Sequence, residues 1–102
     1  MTEHEAQRLQ LSGELDLATC PAFAEQVARA FDSGARHLVL DLSQVSFMDS
    51  SGLRVIGDAV SRSREVGGTV TVDRPTAVVL RTMQVVGLDT LVELTGAPHD
   101  PR

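Results

Sequence analysis

The chain has no lysine, no tryptophan and no tyrosine, one cysteine, and only three aromatic residues, Phe23, Phe31 and Phe47. Each shortage removes a class of function. Without lysine there is no P-loop lysine and no lysine Schiff base. With Cys20 alone no intramolecular disulfide can form, which suits a reducing compartment. Three phenylalanines make no base-stacking platform. Nucleic-acid binding also needs a basic face. Here the nine basic residues are all arginine, scattered along the chain, and the formal net charge is −5. No apolar run approaches the ~20 residues needed to cross a bilayer. The start, Met1-Thr2-Glu3-His4-Glu5, is acidic and polar, unlike the basic start and apolar run of a secretory signal. The expected location is therefore the cytoplasm, with no direct nucleic-acid partner and no membrane insertion.

At 102 residues the chain is expected to be one domain over 1–102. Its core is read as about residues 9–94, with residues 1–7 and 96–102 as frayed tails. Leu9, Leu11, Leu15 and Leu17 alternate with Gln10, Ser12, Glu14 and Asp16, the pattern of a strand with one buried face. Gly13 marks a bulge or a close backbone approach. Asp16 and Thr19 offer helix caps, and Pro21 suits a first helical turn. Phe23, Val27, Ala30 and Phe31 follow at helical spacing, with Gly34 as the stop. Leu38-Val39-Leu40 reads as a central strand covered on both faces. Ser43-Gln44 is read as a connector, with Val45 and Phe47 beyond it.

The next helix is expected from about Ser51 to Arg64, with Leu53, Ile56, Gly57 and Val60 inside and Arg54, Asp58, Ser61 and Arg62 outside. Gly57 is expected to let this helix lie close to the sheet. Gly67-Gly68 ends that unit, and Thr69 to Val72 forms a strand. Thr76 caps a third helix whose inner stripe is Val79, Leu80, Met83 and Val86. Gly87 is placed as a left-handed cap with Leu88 folding back. Leu88 to Leu94 is a closing helical turn or strand. Strands alternating with helices predict an α/β fold. The clean alternation of the first strand suggests an edge or antiparallel position. The expected sheet is mixed, of about four to five strands with about three to four helices.

The densest chemistry lies in Phe47-Met48-Asp49-Ser50-Ser51-Gly52-Leu53. Two hydroxyls and a carboxylate stand where a helix begins. Such a start offers unpaired backbone N–H groups and a positive dipole end, where a phosphate is favourably placed. Spacing alone also permits a plain helix cap, worth ~1 kcal/mol. Catalysis finds little support. Met48-Asp49-Ser50-Ser51-Gly52 is not Gly-x-Ser-x-Gly. His4 and His99 lie in the expected tails, and His37 begins a strand at the end away from the serines, so no general base is placed. The histidines and Cys20 show no metal-ligand spacing, and no cofactor is expected. Cys20, before Pro21, could be activated at a helix start or simply be a small buried residue.

Leu40-Asp41-Leu42-Ser43 followed by Phe47-Met48-Asp49-Ser50-Ser51-Gly52-Leu53 resembles the signature of the STAS domain family, and within it the bacterial anti-sigma factor antagonists. Gly13-Glu14-Leu15-Asp16 and Gly87-Leu88-Asp89 match more weakly, so the resemblance runs from about Leu9 to Leu94. It implies a single STAS-like domain that binds an anti-sigma factor and frees a sigma factor. It also implies that this partner is a serine kinase of the histidine-kinase-like ATPase type, which phosphorylates the second serine, here Ser51. A separate serine phosphatase would reset the switch. Asp49 matches the motif's aspartate and Asp16 an acidic residue near the partner surface. The implied partner-binding set is Asp16, Asp49, Ser50, Ser51, Gly52 and Arg54. Arg54 departs from the family, where many members carry a small residue. It could pair with a phosphate, select the partner, or be a solvated helix face. The alternative is a STAS interaction module of another assembly, such as a signalling complex, lipid-transport machinery or an anion-transporter partner. A small serine hydrolase stands as the contrasting third reading.

Overall fold

A computed structural model describes residues 6–96. Four strands alternate with three helices: β1 (Ala6–Leu15), α1 (Cys20–Asp32), β2 (His37–Met48), α2 (Ser50–Glu65), β3 (Thr69–Asp73), α3 (Ala77–Val85) and β4 (Glu93–Thr95). A single 3-10 turn, Leu88–Thr90, precedes β4, so the closing segment holds both a turn and a strand. The sheet order is β1-β2-β3-β4. All three pairings are parallel, which corrects the expected mixture of directions among the described residues. The reason is connectivity. A helix joins each strand to the next, and a helical crossover returns the chain to run the same way.

Strand β1 is an edge strand, as its alternation implied, and its first residues Ala6 and Gln7 already pair with His37 and Leu38 rather than fraying. Residues 1–5 and 97–102, including His4 and His99, lie outside the described residues. The register slips beside Gly13, where φ is +79°, and the extra residue of the expected bulge, Ser46, lies on β2. Strand β2 is central and runs unbroken to Met48, so Ser43-Gln44 is strand rather than connector. A second register slip, between Gln10 and Ser12, accommodates that polar pair.

The register puts Leu9, Leu38, Leu40, Val70 and Val72 on one face. Leu38, Leu40 and Val72 are fully buried there. Helix α1 contributes Phe23, Val27, Ala30 and Phe31 to the same core, as its spacing predicted. Helices α1 and α2 pack side by side. They are tied at their far ends by Arg62, which bonds Asp32 at 2.6 Å and stands over the Phe31 ring. The other face is polar. There Arg8 bridges Asp41 and Asp73, each at 2.8 Å, and Arg74 also reaches Asp41. Helix α3 is anchored to β2 by the buried Thr76 hydroxyl, which donates to the Val45 carbonyl at 2.9 Å. Thr76 also caps α3, and Val79 and Met83 are its buried residues. Val86, expected inside, is exposed because the helix ends at Val85. Gly87 is left-handed at φ +78° and turns Leu88 back into the core, as expected.

Candidate functional site

The carboxyl ends of β1 and β2 lie side by side, with Leu15 paired to Met48. In parallel sheets the loops leaving these ends form the natural binding crevice. Two loops leave here. One runs from Asp16 to Thr19 into α1, and the other is the tight Asp49 corner into α2. The Asp49 N–H donates to the Leu15 carbonyl at 3.2 Å, so the two corners are bonded together.

Asp16 organises the first loop. Its Oδ1 accepts from the backbone N–H of Ala18 and of Thr19, both at 3.0 Å. The Thr19 hydroxyl donates to the Glu14 carbonyl at 2.7 Å. The carboxyl of Asp16 is held below its ordinary range, chiefly by the Thr19 backbone bond. Thr19 occupies the cap position of α1 without a side-chain capping bond, so Asp16 rather than Thr19 shapes this entry. Pro21 falls in the first turn, as expected.

Asp49 is the cap of α2. Its Oδ1 accepts from the Ser51 N–H at 2.8 Å, and its carbonyl accepts from the Leu53 N–H. Capping therefore belongs to the aspartate, and the helix begins at Ser50. Neither serine hydroxyl is needed for the cap, and neither has a hydrogen-bond partner among the described residues. Among those residues no buried side-chain polar atom lacks a partner. The partnerless Ser51 oxygen therefore meets solvent, although the residue as a whole is only half exposed. Ser50 is fully exposed beside it.

Gly52 is buried where α2 meets the sheet. A Cβ there would stand 2.6 Å from Met48 Cγ and 3.3 Å from the Leu15 carbonyl oxygen. Gly52, not Gly57, is the glycine that lets the helix approach, since a Cβ on Gly57 would meet nothing within 4 Å. The buried stripe shifts accordingly to Gly52, Val55, Ile56, Ala59, Val60 and Ser63, leaving Leu53 half-buried.

Between the two helix starts lies an open cleft of about 490 Å³ whose lining includes Leu17, Cys20, Ser50, Ser51, Arg54 and Asp58. Leu17, expected on the buried face of the first strand, lies beyond it in the loop and is 80% exposed at the rim. Cys20 is buried beneath. Burial pushes its thiol up, and the carboxylates of Asp49 and Asp16 push it the same way. The activated cysteine is thus overturned in favour of the buried one. Asp16, Asp49, Ser50, Ser51, Gly52 and Arg54 are all gathered at this end of the sheet. His37 begins β2 at the opposite end, against Thr69 Oγ1 at 3.0 Å.

A family model described as Mlab, STAS domain, matches residues 2–93. The chain belongs to the STAS domain family. The anti-sigma-F factor antagonist RsfB of Mycobacterium tuberculosis is 32% identical over 94 residues, covering 90% of this chain and 75% of that relative. The crystal structure of an anti-sigma factor antagonist from Mycobacterium paratuberculosis superposes with a TM-score of 0.82 at 25% identity, over 95% of this chain and 82% of that one. The fold is also that of the Bacillus anti-sigma factor antagonist SpoIIAA in its unphosphorylated form, with a TM-score of 0.81 at 24% identity over 94% of this chain and 84% of that one. In this STAS domain the site holds contributors that the sequence pattern did not single out, namely Leu17, Val55 and Asp58. A signal for Leu17 existed. Asp16 is a strong turn former, and a turn at Asp16 ends the strand before Leu17.

Proposed function

We propose that this STAS domain is an anti-sigma factor antagonist controlled by phosphorylation of Ser51. The observation that supports this reading is the solvent-reaching Ser51 hydroxyl, held rigidly at a helix start by the Asp49 cap yet bonded to nothing itself. In the unmodified state the cleft beside Ser51 receives the anti-sigma factor, with Leu17 as an exposed apolar contact and Asp16, Asp49, Ser50 and Arg54 around it, while the buried Gly52 seats the helix start rather than touching the partner. Sequestering that factor frees a sigma factor and so regulates transcription. The anti-sigma factor is a serine kinase of the histidine-kinase-like ATPase type. It transfers the γ-phosphoryl group of ATP to Ser51 Oγ, ADP leaves, and the hydroxyl proton is lost. A serine phosphatase reverses the change by hydrolysis. The domain itself performs no catalysis.

The charge arithmetic supports release. Phosphate adds about −1.5 to −2 charges at neutral pH. It does so next to Asp49, on a chain whose formal net charge is already −5. The helix start tolerates the anion, so the fold need not change. A partner surface fitted to a neutral hydroxyl meets repulsion and desolvation cost. A loss of about 3 kcal/mol there weakens binding by roughly a hundredfold.

The test is incubation of the chain with candidate ATP-binding anti-sigma factors and ATP, followed by mass-spectrometric mapping. Transfer to Ser51 is expected. Stable assembly with transport proteins and no transfer would instead place the domain as an interaction module of another complex. Ester hydrolysis abolished by changing either serine would restore the hydrolase reading.

A further inference from the structure

Among the described residues Arg54 is the only cation lining the cleft beside Ser51. It follows Ser51 by three residues on α2, so the two side chains share a helix face. Helical side chains lean toward the N-terminus, so a long side chain at position 54 can reach back over the turn that carries Ser51. Among the described residues Arg54, like Arg36, Arg64 and Arg81, makes no ion pair, whereas Arg8, Arg29, Arg62 and Arg74 do. Its free state is notable because Asp58 lies one turn further on and lines the same cleft. A positive charge thus stands unused beside a hydroxyl that is also unused.

We propose that Arg54 is the internal counter-ion of phosphorylated Ser51, a positioning residue that folds back along α2 to hold the phosphate. This rests on the functional reading above. A phosphate near −2 offers three acceptor oxygens to a planar fork of donors, a better match than the single charge of Asp58. The charged groups facing it are Asp49 at the cap, Asp16 on the loop after β1 and Asp58 on α2, with the protonated Cys20 beneath. All of these carboxylates repel the phosphate, and Arg54 is the lining side chain that joins the helix start in offsetting them. Modification then changes the docking face twice. The face gains a dianion, and its one free cation turns inward onto that dianion.

The test uses the full chain with phosphoserine installed at position 51 during synthesis, so that no kinase is required. The second ionisation of the phosphate is followed by phosphorus NMR at low salt in the parent, Arg54→Gln and Arg54→Lys. Removing the counter-ion is expected to raise that ionisation by about 0.2–0.7 pH units, the size of a solvent-accessible ion pair. Arg54→Lys should recover part of the shift. Superimposable titrations of the parent and Arg54→Gln would overturn the proposal. Failure of every anti-sigma factor to phosphorylate the unmodified chain would overturn the functional reading instead, and would leave the titration result standing.

Discussion

Ser51 and Gly52 are neighbours with opposite requirements. Ser51 must offer an oxygen to solvent, and Gly52 must offer nothing to the sheet. Ser51→Ala removes the phosphate-accepting oxygen and leaves the Asp49 cap intact, because Asp49 Oδ1 accepts from the Ser51 N–H rather than from its hydroxyl. This variant should bind the anti-sigma factor and stay bound when ATP is added, as measured by the lifetime of the complex. Ser51→Asp places a permanent negative charge beside Asp49 and should bind at least about tenfold more weakly in titration calorimetry, a loss of about 1.4 kcal/mol or more. Binding as tight as the parent would sink the charge argument. Gly52→Ala is expected to fail differently. Its methyl would press on Met48 and on the Leu15 carbonyl. Overpacking costs about 1–3 kcal/mol, offset in part by about 1 kcal/mol of helix propensity. The urea midpoint should fall, and the displaced helix start should weaken partner binding as well.

Helix α2 carries the site because its first turn is fixed from outside the helix, by Asp49. Asp49→Ala should cost about 1 kcal/mol of stability, whereas Asp49→Asn, which still caps, should cost little. Urea denaturation of the two variants separates capping from charge. The existence and order of the elements were readable, because Phe23-Val27-Ala30-Phe31 carries a helical period and Leu38-Val39-Leu40 is a short apolar run between polar ends, the length of a strand rather than a helix. Strand direction was misjudged, because it was read from the wrong signal. Alternation in β1 reports one buried face, whereas the helix joining it to β2 dictates the parallel pairing. Ser43-Gln44 looked like a break because nothing local reveals the pairing that keeps them in β2. Asp41 accepts the Ser43 N–H at 3.0 Å, and β2 takes up the extra residue as a slip in its register against β1. The glycine error has the same origin. Gly57 lies mid-helix, where a close approach is easy to imagine, but the helix converges on the sheet at its start, beside Met48 and Leu15. The serine pair and its aspartate were legible as a unit. Which of the three caps the helix depends on backbone angles that residue type alone does not set.

The molecule as a whole is acidic, and three of its carboxylates, Asp16, Asp41 and Asp73, are placed so that ionisation favours the folded state. Burial would raise the carboxyl of Asp41, but the Ser43 hydrogen bonds, Arg8 and Arg74 outweigh it and hold the group below its ordinary value. Asp73 is lowered by Arg8 and Thr95, and Asp16 by the Thr19 and Ala18 backbone. A carboxyl whose folded pKa lies below its unfolded value binds fewer protons when folded. Its contribution is therefore complete above the unfolded value, about 3.9 for aspartate, and disappears as pH falls through the folded one. Stability should be level from neutral pH down to about pH 5 and then decline steeply with acid. Asp41→Asn tests this at the one of the three that is buried. It weakens two charge-assisted bonds from arginines and the acceptor for a buried N–H, so it should lose about 1–3 kcal/mol at neutral pH. Because the variant has one fewer depressed carboxyl to titrate, its loss of stability between about pH 5 and pH 2 should be shallower than that of the parent. Urea unfolding at a series of pH values measures both, and parallel acid slopes for the two proteins would show that Asp41 is not a principal source of the decline.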